Sequence, residues 1–209
     1  MDIKRLQTDM KRLGFYFGAV DGIWGTMSEG AYRDFVGLTD DTSMVWGSKV
    51  SQAFRDKVIN ICAGLGVDPD DLMSCIAFES AETFRADIRN AAGSGAVGLI
   101  QFMPSTAVGL GVTCDELARM TPEAQLIYVE KYFKSYTGRL KNLGDVYMAI
   151  LWPAGIGKTD DWQLWCGDSR PTTYRQNCGL DGNQDRVITR GEAIAKVMQK
   201  REKGEQYRC

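Results

Sequence analysis

Leu72, Cys75, Ile76 and Glu79 fall at i, i+3, i+4 and i+7. On a helix that spacing puts the Glu79 carboxyl on the apolar stripe that faces a core. A carboxyl pressed toward apolar surroundings loses solvation of its charged form, so its pKa rises. Such a group holds its proton at neutral pH and can hand it to a leaving oxygen. The competing reading is a helix-end glutamate whose head escapes to water, because structural acids also sit on apolar faces. Composition narrows the chemistry further. The 209 residues include no histidine, and serine–histidine or cysteine–histidine nucleophiles, HExxH and most catalytic zinc sites need an imidazole. Acid–base work is left to carboxylates, lysines and tyrosines.

A second spacing suggests a metal. Asp181, Asn183, Asp185, Val187, Thr189 and Glu192 occupy positions one, three, five, seven, nine and twelve of an EF-hand calcium loop, with apolar Ile188 between. Arg186 stands where that loop needs glycine for its sharp turn, and Thr189-x-x-Glu192 reads equally as a capping box. Any calcium would be structural, being remote in sequence from Glu79, and no cofactor is expected for catalysis. Gly93-x-Gly95-x-x-Gly98 formally fits a dinucleotide fingerprint, but no strand precedes it and Pro104 follows too closely, so nucleotide binding is rejected. The cysteines at 62, 75, 114, 166, 178 and 209 are scattered without CxxC pairing. Cys62 and Cys75 fit core faces, and no obligatory disulfide is expected. A net charge of −2 gives no basic footprint for nucleic acid. No apolar run reaches membrane-spanning length, and the charged start MDIKRLQTDM leads into no apolar segment of a secretory signal.

The elements that must position these residues read as mostly helical. Ile3, Leu6, Met10 and Leu13 form one face of a first helix stopped by Gly14. Thr26-x-x-Glu29 reads as a capping box for a second, with Ala31, Phe35 and Val36 inward. Residues 37–50 are polar and aperiodic, a linker or the tail of a small module. Ser51 caps a helix ending at Gly66, and Asp68-Pro69 opens the helix that carries Glu79. Further helices start at Thr113-x-x-Glu116, at Thr121-Pro122 (to about Leu140), at Asp145 (to Trp152, before Pro153) and near Thr189. Strand signals are sparse. The fold class expected is mainly α, with domains at 1–50 and 51–209.

Two resemblances follow from particular residues. Leu6-Gln7, Leu13-Gly14, Tyr16, Gly18, Asp21-Gly22, Gly25, Ser28, Ala31 and Phe35 look like the three-helix peptidoglycan-binding module of bacterial and phage cell-wall enzymes, with departures at Ser28 and Val36. It implies wall binding through Tyr16, Asp21 and Trp24, although Tyr16, Phe17 and Trp24 fit plain core packing as well. Glu79-Ser80, then Gly95-x-x-Gly98-Leu99-Ile100-Gln101-Phe102-Met103-Pro104-x-Thr106-Ala107, then Ala154-Gly155-Ile156-Gly157 resemble the soluble lytic transglycosylase family over roughly residues 51–200. The chain looks closest to modular phage endolysins. That resemblance implies a lysozyme-like α-helical domain with Glu79 as sole catalytic acid/base.

The same resemblance implies Ser80, Gln101 and Phe102 beside a glycan groove. Trp152 and Pro153 replace the family's Tyr and Asn, whose tyrosine contacts the glutamate. Tyr128, Tyr132 or Tyr147 is left to supply a replacement, and Trp152 to act as a sugar-stacking wall or as core. A hydrolase would carry a second carboxylate, for which Glu82 and Asp87 are the nearby candidates, although each reads as readily as a solvated side chain. Glu82 stands where the family usually has Gly.

The function expected is cleavage of the MurNAc-β-1,4-GlcNAc bond with a 1,6-anhydro product. The alternatives are a muramidase of the same fold and a non-catalytic wall-binding or tail protein. The expected partner is the peptidoglycan strand, with no nucleic acid or stable membrane association, and the chain is expected to be a monomer. It would wait in the host cytoplasm until the membrane is opened and then reach the wall in the periplasm.

Overall fold

The structure is a computed structural model describing residues 2–12, 14–35 and 43–209, without the side chains of 33–35. Leu13, Val36 and the Phe35 side chain, which carried part of the N-terminal pattern, lie outside what is described. The chain divides into two compact units, Met1–Thr42 and Ser43–Cys209.

In the smaller unit α1 (Ile3–Arg12) and α2 (Thr26–Phe35) flank a turn-rich loop. Met10, Tyr16 and Ala31 form its small core. Gln7 is fully buried and organises the loop. Its amide nitrogen lies 3.1 Å from Asp21 Oδ1, 3.0 Å from the Ile23 carbonyl and 3.0 Å from Ser28 Oγ, while its oxygen accepts the Gly22 N–H at 2.8 Å. A buried amide must be satisfied in this way. The expected capping box of α2 is not what Glu29 does. Thr26 is already helical, and Glu29 accepts the Trp24 indole N–H at 2.6 Å.

The larger unit is helical around α4 (Pro69–Glu79), whose residues Asp70 to Ala77 are all buried. Asp68 caps it, accepting the Asp70 N–H at 2.9 Å, with Pro69 in the first turn. Around it lie α3 (Gln52–Leu65), α7 (Pro122–Lys134), α8 (Leu143–Leu151) and α10 (Arg190–Gly204); α5 (Pro104–Gly109), α6 (Cys114–Ala118) and α9 (Pro171–Asn177) are shorter. Ser51, Thr113, Thr121 and Thr189 each cap a helix where the sequence placed one, and the boxes at Thr113–Glu116 and Thr189–Glu192 are complete. α7 stops at Lys134, short of Leu140. β1 (Gln163–Cys166) and β2 (Val187–Thr189) pair antiparallel, with Trp165 opposite Ile188.

One boundary is corrected. Residues 43–50 belong to the larger unit, not to a linker: Met44, Val45 and Trp46 are fully buried there. The Trp46 indole donates to the Lys200 carbonyl at 2.9 Å and stacks on Tyr207 with centroids 5.0 Å apart. Periodicity missed this segment because it packs as an irregular strap.

Candidate active site

Glu79 is the last residue of α4, and the chain leaves that helix sharply. Glu82 N–H donates to the Ala77 carbonyl at 2.7 Å and Ala81 N–H to the Phe78 carbonyl at 3.3 Å, the bond pair of a Schellman ending. Ala81, Glu82 and Phe84 have φ of 51°, 64° and 53°. Left-handed backbone without glycine costs of order 1 kcal/mol or more per residue and persists only where neighbours enforce it. Three do so here. The Ser80 hydroxyl accepts the Phe84 N–H at 3.1 Å. The Phe84 ring is buried against Trp46 and Phe54, with centroids 5.9 and 6.4 Å away. The Glu82 carboxylate takes the Lys200 and Lys203 ammonium groups of α10, each at 2.5 Å.

The Glu79 side chain is half-buried. Among the described residues no hydrogen-bond donor or cation reaches its carboxyl, and desolvation pushes its pKa up to about 8. Tyr147 is held edge-on to Phe78 at 5.4 Å, and its hydroxyl is raised well above the tyrosine range by burial and then by the Glu79 charge. Tyr132 is raised by burial first, then by Tyr136 and Glu79; its hydroxyl donates to the Ala149 carbonyl. Of the three tyrosines Tyr147 lines the cleft with the acid, whereas Tyr132 and Tyr128, the latter with Lys131 over its face at 4.9 Å, are outside its lining.

That cleft, about 350 Å³, is lined by Phe78 and Glu79 of α4, Tyr147 and Leu151 of α8, Gln176 and Asn177 of α9, Gly179 and Leu180 just after it, and Lys196 of α10. Among the described residues Glu79 is the only acid in its lining. The two nearby carboxylates are engaged elsewhere: Glu82 by its lysines, Asp87 by a two-pronged pair with Arg85 at 2.8 and 2.7 Å.

The glycine-rich motif is fixed by a buried amide. Gln125 is fully buried; its oxygen accepts the Leu99 N–H at 2.7 Å, and its nitrogen donates to the Ala86 and Leu117 carbonyls at 3.0 and 2.9 Å. Gly98, at φ 85°, lies so close that any Cβ would collide with that amide. Gln125 carries no motif in the sequence, and only its three bonds reveal it. Gln101 is half-buried and donates to the Ile88 and Gly98 carbonyls at 3.3 and 3.2 Å. One expectation is corrected here. Ser80 and Phe102 are buried at 0% and 2% exposure, the first bound to the turn and the second packed edge-on to Tyr132, so neither faces an open groove. Trp152, expected as a sugar-stacking wall or as core, is half-buried with its ring against Trp165 at 5.6 Å and Arg170 over it at 5.7 Å.

The Ala154–Gly157 motif is anchored by charge. Arg190, nearly buried, bonds Asp145 at 3.0 Å, the Gly155 carbonyl at 3.1 Å and Asp160 at 2.6 Å. Asp145 in turn accepts the Gly157 N–H at 2.8 Å, at a backbone φ of 71° that glycine alone takes freely.

The calcium expectation meets a different arrangement. Arg186 does turn the chain with φ 70° in the glycine's place, and β2 follows. Yet Asp181 accepts Gln184 N–H, Arg186 N–H and the Tyr174 hydroxyl, and Asp185 accepts Val187 N–H. Asn183 bonds Asp185, and Glu192 is divided between the Gly182 and Thr189 backbone. Among the described residues no three His, Cys, Asp or Glu side chains cluster as metal ligands. These side chains close turns and cap α10. In the small unit Tyr16 is corrected to core, buried with its hydroxyl on the Ala19 carbonyl at 2.8 Å. Asp21 bonds Gln7 and the Ile23 N–H, and Trp24 is half-buried against Tyr32. Among its described residues the exposed large apolar side chains are Phe15, Phe17, Val20, Ile23 and Met27, with Phe17, Ile23 and Met27 the most open.

A helical domain that keeps one unpaired, proton-retaining carboxyl on a cleft is built for general acid–base cleavage of an acid-labile bond. Residues 59–165 match the transglycosylase SLT domain, and the chain belongs to that family, whose activity is of the peptidoglycan lytic transglycosylase type. Comparison with curated proteins found no match to the chain. Glu79, the glycine-rich motif and Ala154–Gly157 all lie inside the matched span, whereas α9 and α10 lie beyond it.

Proposed function

We propose that this chain is a modular phage endolysin whose larger unit cleaves the MurNAc–GlcNAc bond by transglycosylation, with Glu79 as its only acid/base. The observation that carries the reading is the Glu79 carboxyl, half-buried on the cleft, free of protein partners and pushed up to about 8. Protonated at neutral pH, it donates to the glycosidic oxygen as that bond breaks. The substrate's own acetamido oxygen stabilises the developing cation, and Glu79, now a base, takes the proton of the 6-hydroxyl as the oxygen closes on C1. Atoms and charge balance without water. A hydrolase of the retaining or inverting kind would need a second free carboxylate, and among the described residues Glu79 is the only acid lining the cleft. The separate N-terminal unit, with its exposed Phe17, Ile23 and Met27, supports a wall-binding role. In this reading the protein acts as a monomer and waits in the host cytoplasm for membrane opening. No described helix is long and apolar enough to cross a membrane.

Mass spectrometry of muropeptides released from purified sacculi tests the reading. Anhydromuramic ends that vanish with Glu79→Gln are expected. Reducing ends would identify a muramidase, and unaltered release by the variant would remove Glu79 from the chemistry.

A further inference from the structure

Among the described residues the cleft that holds Glu79 has one cation in its lining, Lys196, and it stands outside the span shared with the family. Its basic neighbours on α10 are all paired: Arg190 with Asp145 and Asp160, Lys200 and Lys203 with Glu82, Arg201 with Asp68, Asp70 and Asp71. Lys196 is half-buried and, among the described residues, meets no acid. An ammonium partly withdrawn from water without a counter-ion costs free energy that a bound anion would return. Nor does it serve Glu79, whose carboxyl is raised by desolvation with no cation lowering it.

The surroundings of Lys196 fit a particular anion. Gln176 and Asn177 bring amides to the same cleft, and Asn177 Nδ2 is taken by the Thr173 carbonyl at 2.9 Å, leaving its oxygen as an acceptor. Leu180 and Leu151 add apolar surface. A cation for the carboxylate, amide oxygens that accept the N–H groups of the peptide bearing it, and aliphatic walls suit a peptidyl acid better than a neutral sugar ring. We infer that Lys196 is a specificity-determining residue that binds a carboxylate borne by the muramyl sugar, on its stem peptide or on its lactyl arm. This rests on the peptidoglycan reading above.

The test compares the full chain with Lys196→Gln and Lys196→Arg on two soluble substrates. One is uncrosslinked strands with intact stem peptides; the other is strands stripped by an amidase, which leaves lactyl carboxylates free. Loss of one charge-assisted contact is expected to raise KM about tenfold in Lys196→Gln, with kcat nearly unchanged and the salt dependence of KM weakened. Lys196→Arg is expected to keep the parent KM, and equal melting temperatures exclude misfolding. A rise confined to peptide-bearing strands assigns the stem peptide, and a rise on stripped strands assigns the lactyl arm. Unchanged KM and salt dependence on both substrates would overturn the inference. Binding of Glu79→Gln and of Glu79→Gln/Lys196→Gln to the same strands by calorimetry keeps the two readings apart. If the parent yields no anhydro ends, the proposed reaction fails, yet a tenfold weaker binding of the double variant still upholds Lys196.

Discussion

Glu79 couples catalysis to stability through one proton. Its folded pKa of about 8 lies above the ordinary 4.5, so between those values the folded chain keeps a proton that the unfolded chain has released. Stability therefore falls as pH rises through this window and levels off above it. Asp71, pushed up to about 6 mainly by burial, adds a slope of the same sign at the lower end. Glu79→Gln removes only the first contribution. Melting curves from pH 4 to 9 are expected to show the variant gaining on the parent steadily and most above pH 8, and parallel curves would contradict this. Activity follows the same proton: kcat/KM of the parent is expected to decline as pH passes about 8, and Glu79→Gln to lose on the order of 10²–10⁴-fold. The periodicity of α4 made this residue legible, because a helix and its buried stripe are local properties. Lys196 was illegible, since nothing nearby in sequence says that α10 reaches the cleft.

At the scale of elements, the turn after α4 and the Ala154–Gly157 segment are each fixed by charges from α10. Glu82 is the positioning residue of the first, and the reading of Glu82 as a solvated side chain misses a pairing more than a hundred residues away. Glu82→Gln is expected to lower kcat several-fold with little change in KM and to leave the pH profile in place, whereas Glu82→Gly, which relaxes the φ of 64°, should recover stability but not kcat. Steady-state kinetics beside thermal melting separate the two. The second clamp is buried, so Asp145→Ala leaves Arg190 without its inner partner and is expected to cost about 3–5 kcal/mol by denaturant unfolding. Several helix starts were readable, because caps are side chains that act within three residues, as Ser51, Thr113, Thr121 and Thr189 show, whereas α5 and α9 were not read and α8 starts at Leu143, before the expected Asp145. The β1–β2 pair was not, since its strands are short and their partner choice depends on distant packing. In the calcium-like loop the oxygens of Asp181, Asp185 and Glu192 accept backbone N–H groups, an arrangement that spacing alone does not reveal.

For the whole molecule, the proposed reading assigns wall binding to the smaller compact unit and cleavage to the larger. A chain of residues 43–209 is expected to melt near the parent and to cleave soluble strands, with weaker binding to sacculi. A chain starting at residue 51 loses Met44, Val45 and Trp46 from the core and is expected to be several kcal/mol less stable, each large buried side chain being worth about 2–5 kcal/mol. Equal stability of the two would restore the earlier boundary. All of the chemistry argued above requires that the acid be protonated when substrate arrives. The direct measurement is the carboxyl ¹³C shift of Glu79 followed through a pH titration, assigned by comparison with Glu79→Gln. A midpoint near 8 is expected, and a midpoint near 4.5 would contradict the account, for a carboxylate already ionised at neutral pH has no proton to give the glycosidic oxygen.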